Sequence, residues 1–431
     1  MFLARPVSGE DGSAGPGEAM TYPKIDKLVY ERTLEDYREM AWGDARCNWC
    51  MNQWGWNVQS SKYNEICPEF RHYRFFSHSA MGKFHIIRAL IEGDFEIEDS
   101  EKMLEICYTC TSCGACEMNC LRLNEKEPLK AAEALKTRLI EMGIGPLPQH
   151  KELLKSIKNY DNPWLQPRTK RADWAKGLPV KDASKETCDY LFFVGCTPAF
   201  DPLLQHEIIN VVKVLDKAGI SVGIFGEKEI CCGSPAIRIG DRETFFDLVK
   251  RNMDLFKKAG VKKIITHCAG CHHVLKYDFP QVPGIETDGI EVVHVSQVLA
   301  KLVADGTIKF TREVPMTVTW HDPCHIGRHC GIYEEPRDIL KAIPGLRLVE
   351  MERIKDQGWC CGAGAGVRLA YPDHAFKVAE ERIEEAKATG AEAIATCCPY
   401  CEQNLKDPLQ RNQEKMKMYD LTDLMLMAME E

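Results

Sequence analysis

The apolar positions fall into three regimes along the chain. Ser8 to Glu18 is rich in Gly, Ser, Ala and Glu and has no repeating apolar position, which predicts a disordered tail over 1–24 with a working start near Met20. From Ala80, Met81, Phe84, Ile87, Ala89, Leu90 and Ile91 recur at helical spacing and Gly93 follows as a stop, so 80–92 is predicted as a helix within a largely helical segment, 25–145. After a Pro- and Lys-rich linker over 146–186, pinned by Asn162-Pro163-Trp164 and Arg171-Ala172-Asp173-Trp174, short apolar runs alternate with amphipathic stretches. Tyr190 to Val194 is a buried strand ending at Gly195-Cys196. Asp201-Pro202 then reads as the cap and first turn of a helix with Leu204, Ile208, Val211, Val212 and Leu215 on one face and Gly219 as its stop. Val222 to Phe225 is a strand, Asp241 to Ala259 a helix, and Lys263 to Thr266 a strand. The scheme recurs as strands Met316 to Trp320 and Leu346 to Met351, a helix ending at Gly390, and strand Ala393 to Thr396. Strands alternating with helices predict two parallel-sheet domains, 187–310 and 311–431.

The cysteines repeat with the same period. Cys196, Cys231, Cys232, Cys268 and Cys271 form one set, and Cys324, Cys360, Cys361, Cys398 and Cys401 the other. Equivalent members are offset by 128 (196 to 324), 129 (231 to 360) and 130 (268 to 398), the period of a whole duplicated domain. Each set follows the predicted strands. The crevice beyond the carboxyl ends of parallel strands is where ligands bind, so three loops of each repeat are expected to converge their thiolates there. Gly362, Gly364 and Gly366 suggest a dinucleotide loop, but Val367 occupies the third glycine position of G-x-G-x-x-G. Close backbone approach to a metal cluster is the expected reason for these glycines. No flavin or nicotinamide fingerprint is present.

Composition narrows the chemistry. With 431 residues there is room for about three domains of ~150 residues. A net charge of -9 gives no basic footprint for nucleic acid. The 21 cysteines do not suit a secreted disulfide framework, which belongs to small domains lacking a core, so metal ligation in a reducing cytoplasm is expected. Neither a signal peptide nor a run of 18 apolar residues is found, so no transmembrane segment is expected.

Cys110, Cys113, Cys116 and Cys120 have the C-x-x-C-x-x-C-x-x-x-C spacing by which a ferredoxin gives three thiolates to one [4Fe-4S] cluster and the fourth to its neighbour. Structural zinc is the alternative, but its pairs come as two separated C-x-x-C units. With Cys47, Cys50, Cys67 (before Pro68) and Cys107 there are eight thiolates for two cubanes. Crossed ferredoxin logic pairs Cys110, Cys113 and Cys116 with Cys67, and Cys47 and Cys50 with Cys120, leaving Cys107 to stand in for the missing ligand. Cys188, Cys330 and Cys397 fall outside every pattern and read as ordinary buried thiols.

Together with Ser79-Ala-Met-Gly-Lys83, the leading segment resembles the iron–sulfur C subunit of heterodisulfide reductase, and the iron–sulfur subunits of anaerobic glycerol-phosphate and glycolate dehydrogenases. It departs from them in the 16 residues between Cys50 and Cys67 and in Leu121, where the family usually has proline. Both repeats resemble the cysteine-rich motif of the heterodisulfide reductase B subunit and of its fused relative, the D subunit. The resemblance covers nearly all of 25–431. It implies an α/β fold of two duplicated Rossmann-like, parallel-sheet, cysteine-rich domains behind a mainly helical ferredoxin-like domain. It also implies two noncubane [4Fe-4S] clusters, one per set of five cysteines, in addition to the two cubanes.

What the resemblance implies chemically is reduction of a thiol-cofactor disulfide between the two noncubane clusters, since splitting a disulfide takes two electrons. Electrons would come from a partner in a hetero-oligomer. That partner is a flavin-carrying chain resembling the A subunit of heterodisulfide reductase, an electron-transfer flavoprotein, or a membrane cytochrome. His321, His325 and Arg328, in His321-Asp322-Pro323-Cys324-His325-Ile326-Gly327-Arg328, could protonate a leaving thiolate or hold an anionic substrate. They could equally hydrogen-bond cluster sulfurs, and His267, His272 and His273 flank the first set in the same way. A second reading is a noncatalytic electron-transfer subunit of a flavin-based bifurcating complex, such as class II benzoyl-coenzyme A reductase. A third is a zinc-stabilised scaffold. An open, cationic cavity between the two sets favours the first reading, and a plugged one the second.

Overall fold

A computed structural model describes residues 25–53, 58–93, 100–120, 127–287 and 289–429. The tail over 1–24, including Met20, and Leu121 lie outside the described residues.

Two all-parallel sheets carry the second half of the chain. The first comprises β1 (Val180–Asp182), β2 (Tyr190–Phe192), β3 (Val222–Ile224), β4 (Lys263–Thr266) and β5 (Glu291–His294), in the order β1-β3-β2-β4-β5. The second comprises β6 (Met316–Trp320), β7 (Leu346–Val349), β8 (Ala393–Thr396) and β9 (Lys417–Asp420), in the order β7-β6-β8-β9. Helices cover both faces, which is why the central strands β2 and β8 read as unbroken apolar runs without alternation. The predicted strands and helices fall where the periodicity places them, and edge strands β1, β5 and β9 are additional. Three or four residues with mixed burial are too few to show a period of two.

The helix after Asp201 starts later than expected, at Gln205–Lys217, because the Asp201 carboxylate accepts the amide of Leu203 and so closes a turn of its own. The segment expected as a linker contains helix Pro148–Tyr160, and its last residues form β1 beside β3.

The repeats face each other about a pseudo-twofold. Helix Gln205–Lys217 of the first repeat packs on Leu421–Ala428 of the second, and Glu334–Ala342 of the second packs on Val295–Ala304 of the first. Their apolar faces, including Ile208, Val211, Leu299, Ile339 and Leu424, merge into one continuous core.

The leading segment is helical, with Ala80–Glu92 bounded as predicted: Ser79 Oγ accepts the Gly82 amide, and Gly93 ends the helix at φ +72°. It docks on the first repeat through helix Pro128–Glu141. Arg238 reaches from the repeat to Glu133 of that helix (Nη1 to Oε1, 2.8 Å) and also pairs with Asp278, all three side chains being buried. Beside this junction Gly240 has φ +102°, and a Cβ there would stand 2.7 Å from the carbonyl carbon of Lys136 and 2.8 Å from the amide nitrogen of Thr137.

Gly240→Ala therefore combines left-handed strain with a backbone clash and is expected to lower unfolding stability by about 2–5 kcal/mol. Gly260→Ala, at φ +66° with no atom within 4 Å of the new Cβ, carries the strain alone and is expected to cost about 1 kcal/mol. Anaerobic urea titration of both variants checks the difference. Equal losses would mean that the helix contact contributes nothing.

Candidate functional site

The cysteines of the pattern lie in the segments beyond the carboxyl ends of the strands, with Cys271 and Cys401 inside the helices that follow β4 and β8. Cys196 opens helix Cys196–Phe200 after β2, Cys268 caps Ala269–His273 after β4, and Cys398 caps Pro399–Arg411 after β8. The vicinal pairs lie in loops closed by glycine. Gly233 at φ +86° turns its amide onto Cys231 Sγ (3.5 Å), and Gly362 at φ +95° does the same to Cys360 Sγ (3.3 Å). All ten cysteines of the two sets line one cavity of about 450 Å³.

The thiols hydrogen-bond to one another. Hydrogen bonds from Cys231 and Cys271 bring Cys232 down to about 6, and those from Cys360 and Cys401 hold Cys361 well below the usual thiol range. Cys398 is held low by Cys268 and Cys401, so the two sets touch through Cys268 and Cys398. Three sulfurs are thus held low while Cys196, Cys231, Cys268, Cys271, Cys324 and Cys401 are pushed up, so a few acidic thiols sit among protonated neighbours in a buried space. Soft metal replaces protons in such a place, and the all-thiolate donor set fits iron–sulfur chemistry.

Around the cavity, His325 lies on the lining with Nδ1 3.3 Å from Cys324 Sγ. Burial and the neighbouring His273 push its pKa well down, so it is neutral. His321 does not line the cavity: it is buried behind it, within 4.8 Å of Cys361 and Cys401. Its Nδ1 accepts from Arg382 Nε (3.1 Å), which leaves the proton on Nε2, and burial with the Arg382 charge lowers its pKa to about 3. Arg328 is also off the lining, because its guanidinium is committed to the carbonyls of Cys113 (2.7 Å), Asp356 (2.9 Å) and Gly358. His267, His272 and His273 turn away as well. His267 faces Glu207 and Asp420, His272 packs edge-on to His294, and His273 approaches Asp278.

Four residues of the site were not found from sequence. Arg238, Arg368 and Tyr400 line the cavity, and among its described lining residues there is no carboxylate. Arg171, from the expected linker, places Nη1 and Nη2 each 3.5 Å from Cys196 Sγ and pairs with Glu229. Tyr400 lies within Cys398-Pro-Tyr-Cys401, the one signal that could have marked it. The arginines come from distant segments with no motif of their own.

In the leading module Cys67, Cys110, Cys113 and Cys116 line one small cavity, beside the buried pair Lys83–Glu69 (2.7 Å). Cys47, Cys50 and Cys120 line another with Asp44. Cys107, expected to complete the second group, lines neither cavity: on helix Ser100–Tyr108 it is buried in the core, with Sγ 4.0 Å from Met103 Sδ one turn back. Cys113 is hydrogen-bonded to Cys360, so the first of these cavities abuts the second repeat's cysteines. Tight approach also explains the glycines of that loop, although the neighbour is protein. A Cβ at Gly364 would lie 2.3 Å from the Thr111 carbonyl oxygen, and one at Gly366 2.6 Å from the His150 ring. Cys188, Cys330 and Cys397 line none of these cavities, and Cys330 Sγ meets the His325 carbonyl at 2.9 Å.

Residues 190–276 and 318–406 match the cysteine-rich domain family CCG. The chain is 35% identical over 390 residues to the D subunit of dihydromethanophenazine:CoB–CoM heterodisulfide reductase from Methanosarcina mazei, a match covering 89% of this chain and 93% of that protein. It is 32% identical over 342 residues to EtfAB:quinone oxidoreductase of Syntrophomonas wolfei, covering 76% of this chain and 47% of that protein. A crystal structure of a hypothetical protein from Helicobacter pylori shares the fold with a TM-score of 0.54 at 11% identity, covering 95% of this chain and 74% of that one.

Cys107→Ser is expected to leave bound iron unchanged, whereas Cys113→Ser is expected to remove about four irons per chain. Iron and acid-labile sulfide counts on anaerobically purified protein decide it, and loss of iron from the Cys107 variant would restore that residue as a ligand.

Proposed function

Because the chain belongs to the family of the heterodisulfide reductase D subunit, whose members are iron–sulfur oxidoreductases, we propose that it is the catalytic subunit of a disulfide reductase, taking electrons from a flavoprotein partner and reducing an anionic thiol-cofactor disulfide. One observation carries this reading. Both sets of five cysteines open onto the same cavity of about 450 Å³, which presents Arg238 and Arg368 and no described carboxylate.

Cys67, Cys110, Cys113 and Cys116 would hold one cubane. Cys47, Cys50 and Cys120 would hold the other, with Asp44 the nearest further donor on that cavity. The two sets of five would hold the noncubane clusters. When bound, the noncubane pair supplies one electron each, the two that cleavage of a disulfide requires.

The chain's own residues supply the rest. Arg238 and Arg368 turn guanidinium groups to the cavity that can hydrogen-bond an anionic disulfide and the thiolates released, each guanidinium being paired with a carboxylate behind it. Arg368 is held by Asn404 and Asp407, and Arg238 by Glu133 and Asp278, so both charges are fixed before substrate arrives. Leu153, Trp164 and Leu369 form an apolar wall that excludes water. Two protons must reach the two sulfurs. Solvent supplies them: burial raises the Tyr400 hydroxyl to about 12 and keeps His325 neutral, so each can hydrogen-bond a released thiolate from the cavity wall but neither is acid enough to give up its own proton. His321, neutral and fixed by Arg382, acts as a positioning residue that directs Nε2–H toward the Cys361 and Cys401 sulfurs.

Cys47 is exposed, which puts the second cubane's ligands where a docked flavoprotein can reach them. The likeness to EtfAB:quinone oxidoreductase supports an electron-transfer flavoprotein as donor and a hetero-oligomeric assembly. Among the described residues no helix is long and apolar enough to cross a membrane. An open rather than plugged cavity favours the catalytic reading over a chain that only relays electrons.

The test is anaerobic. About sixteen irons per chain are expected, and protein reduced in advance should be reoxidised by anionic thiol disulfides, with an electron paramagnetic resonance signal that changes on adding the matching thiol. Arg368→Ala should raise KM by about 10–100-fold, the loss of one charge-assisted contact of ~1.5–3 kcal/mol, with a smaller effect on kcat. A signal indifferent to every disulfide and thiol would leave the electron-relay reading in its place.

A further inference from the structure

Away from the cysteines, the seam between the repeats buries a second group of ligand side chains that the proposed redox role does not use. Glu207 lies on helix Gln205–Lys217, His267 directly after β4, Glu402 on helix Pro399–Arg411 and Asp420 at the end of β9, all with 0% exposure. Nε2 of His267 is 2.9 Å from Asp420 Oδ2 and 3.2 Å from Glu207 Oε2, yet it makes a hydrogen bond to neither. Its ring nitrogen therefore points between the two oxygens and at neither of them. Both carboxylate oxygens of Glu207 also lack a hydrogen bond.

Charge makes the arrangement unusual. Three fully buried carboxylates meet here, and the cations that face them are His267, shared between Asp420 and Glu207, His206, 3.3 Å from Glu402 and 36% exposed, and Lys406, also on Glu402. Among the described residues one imidazole is thus the whole positive complement of Glu207 and Asp420. Buried carboxylates are tolerated when they are paired, hydrogen-bonded or bound to metal. In a tetrahedral site with nitrogen and oxygen ligands at about 2.0–2.1 Å, neighbouring donors stand about 3.3 Å apart. The observed 2.9 and 3.2 Å are near that spacing. All three donor atoms of Glu207, His267 and Asp420 lie within 4.8 Å of one another, and Glu207 closes a second such triad with His206 and Glu402.

We propose that Glu207, His267 and Asp420 hold one divalent first-row transition ion, ligated by nitrogen and oxygen only, at the seam between the repeats. An imidazole among carboxylates suits zinc, manganese or ferrous iron better than calcium or magnesium, which take oxygen alone. Outer contacts orient the ligands as a metal site requires. Asp420 Oδ1 accepts the Thr422 amide (2.8 Å) and hydroxyl (2.5 Å), which leaves Oδ2 for the ion, and the His267 carbonyl is held by His294 Nε2 (2.9 Å). His267 immediately precedes Cys268, and Asp420 comes from the opposite repeat, so the ion fixes a cysteine loop of one sheet against the strand end of the other. No cysteine takes part, and the assignment does not rest on the redox role.

Zinc, manganese, iron and acid-labile sulfide are counted on the full-length, anaerobically purified protein. About one divalent ion beyond the sulfide-matched iron is expected. If it is zinc, its X-ray absorption should show a shell at about 2.0–2.1 Å and no sulfur shell near 2.3 Å. Glu207→Gln and His267→Gln should each cut that ion at least tenfold while iron and sulfide stay as they were. No additional ion in the wild-type protein, an additional ion with sulfur neighbours, or full retention in both variants would each overturn the site. The wild-type count and spectrum decide the matter even when a variant does not fold. A chain lacking sulfide but holding the nitrogen- and oxygen-bound ion would sink the redox reading and leave this one standing.

Discussion

Crowding ten thiols into one enclosed space is the constraint on which the rest of the structure depends. Sulfurs held low, as Cys232, Cys361 and Cys398 are, tend to carry charge, and charge in a buried space must be balanced by protons, cations or metal. Parallel strands answer the geometric half of the problem by ending their turns at one rim, where loops of both sheets meet. The glycines after the vicinal pairs answer another part: each gives its amide to the sulfur two positions earlier, then turns at positive φ where a Cβ would meet Phe245 (2.6 Å, at Gly233) or the Ala375 carbonyl (2.8 Å, at Gly362). Arg171, tied to Glu229 and pressed on Cys196, adds a fixed positive charge from outside the repeat.

The leading module is held against this rim more tightly than a tethered domain would be. Arg328 spans the two by joining the Cys113 carbonyl to the loop before Cys360, and Gly364 admits the Thr111 carbonyl where any side chain would block it. The Arg238 pairs with Glu133 and Asp278 hold the other side. A buried ion pair of this kind is weak evidence for stability. Its fixed geometry does register one element against another.

Much of this was written locally enough to be legible in the sequence. Cys196 after Tyr190 to Val194, and Cys398 after Ala393 to Thr396, announce strand then ligand within ten residues. The repeat offset did the rest by matching one sheet to the other. What stayed hidden depends on long-range contact. Counting thiols assigned Cys107 to a cluster, but a count says nothing of which helix face a residue occupies, and its face meets Met103. The sequence brought Arg328 and His321 near Cys324, whereas the fold spends the guanidinium on carbonyls and seats the imidazole behind the sulfurs. Arg368 and Arg238 reach the cavity from segments far from any motif. Edge strands such as β1 were too short to carry a period.

The contact Cys113–Cys360 breaks the apparent equality of the twins, which Cys268–Cys398, joining equivalent positions, preserves. Duplication makes two halves alike, but the helical module brings Cys113 against the vicinal pair of the later one. On the proposed reading electrons enter the pair at the later half and cross to the earlier one at Cys268–Cys398, so each half can deliver its own electron although only the later half is loaded directly.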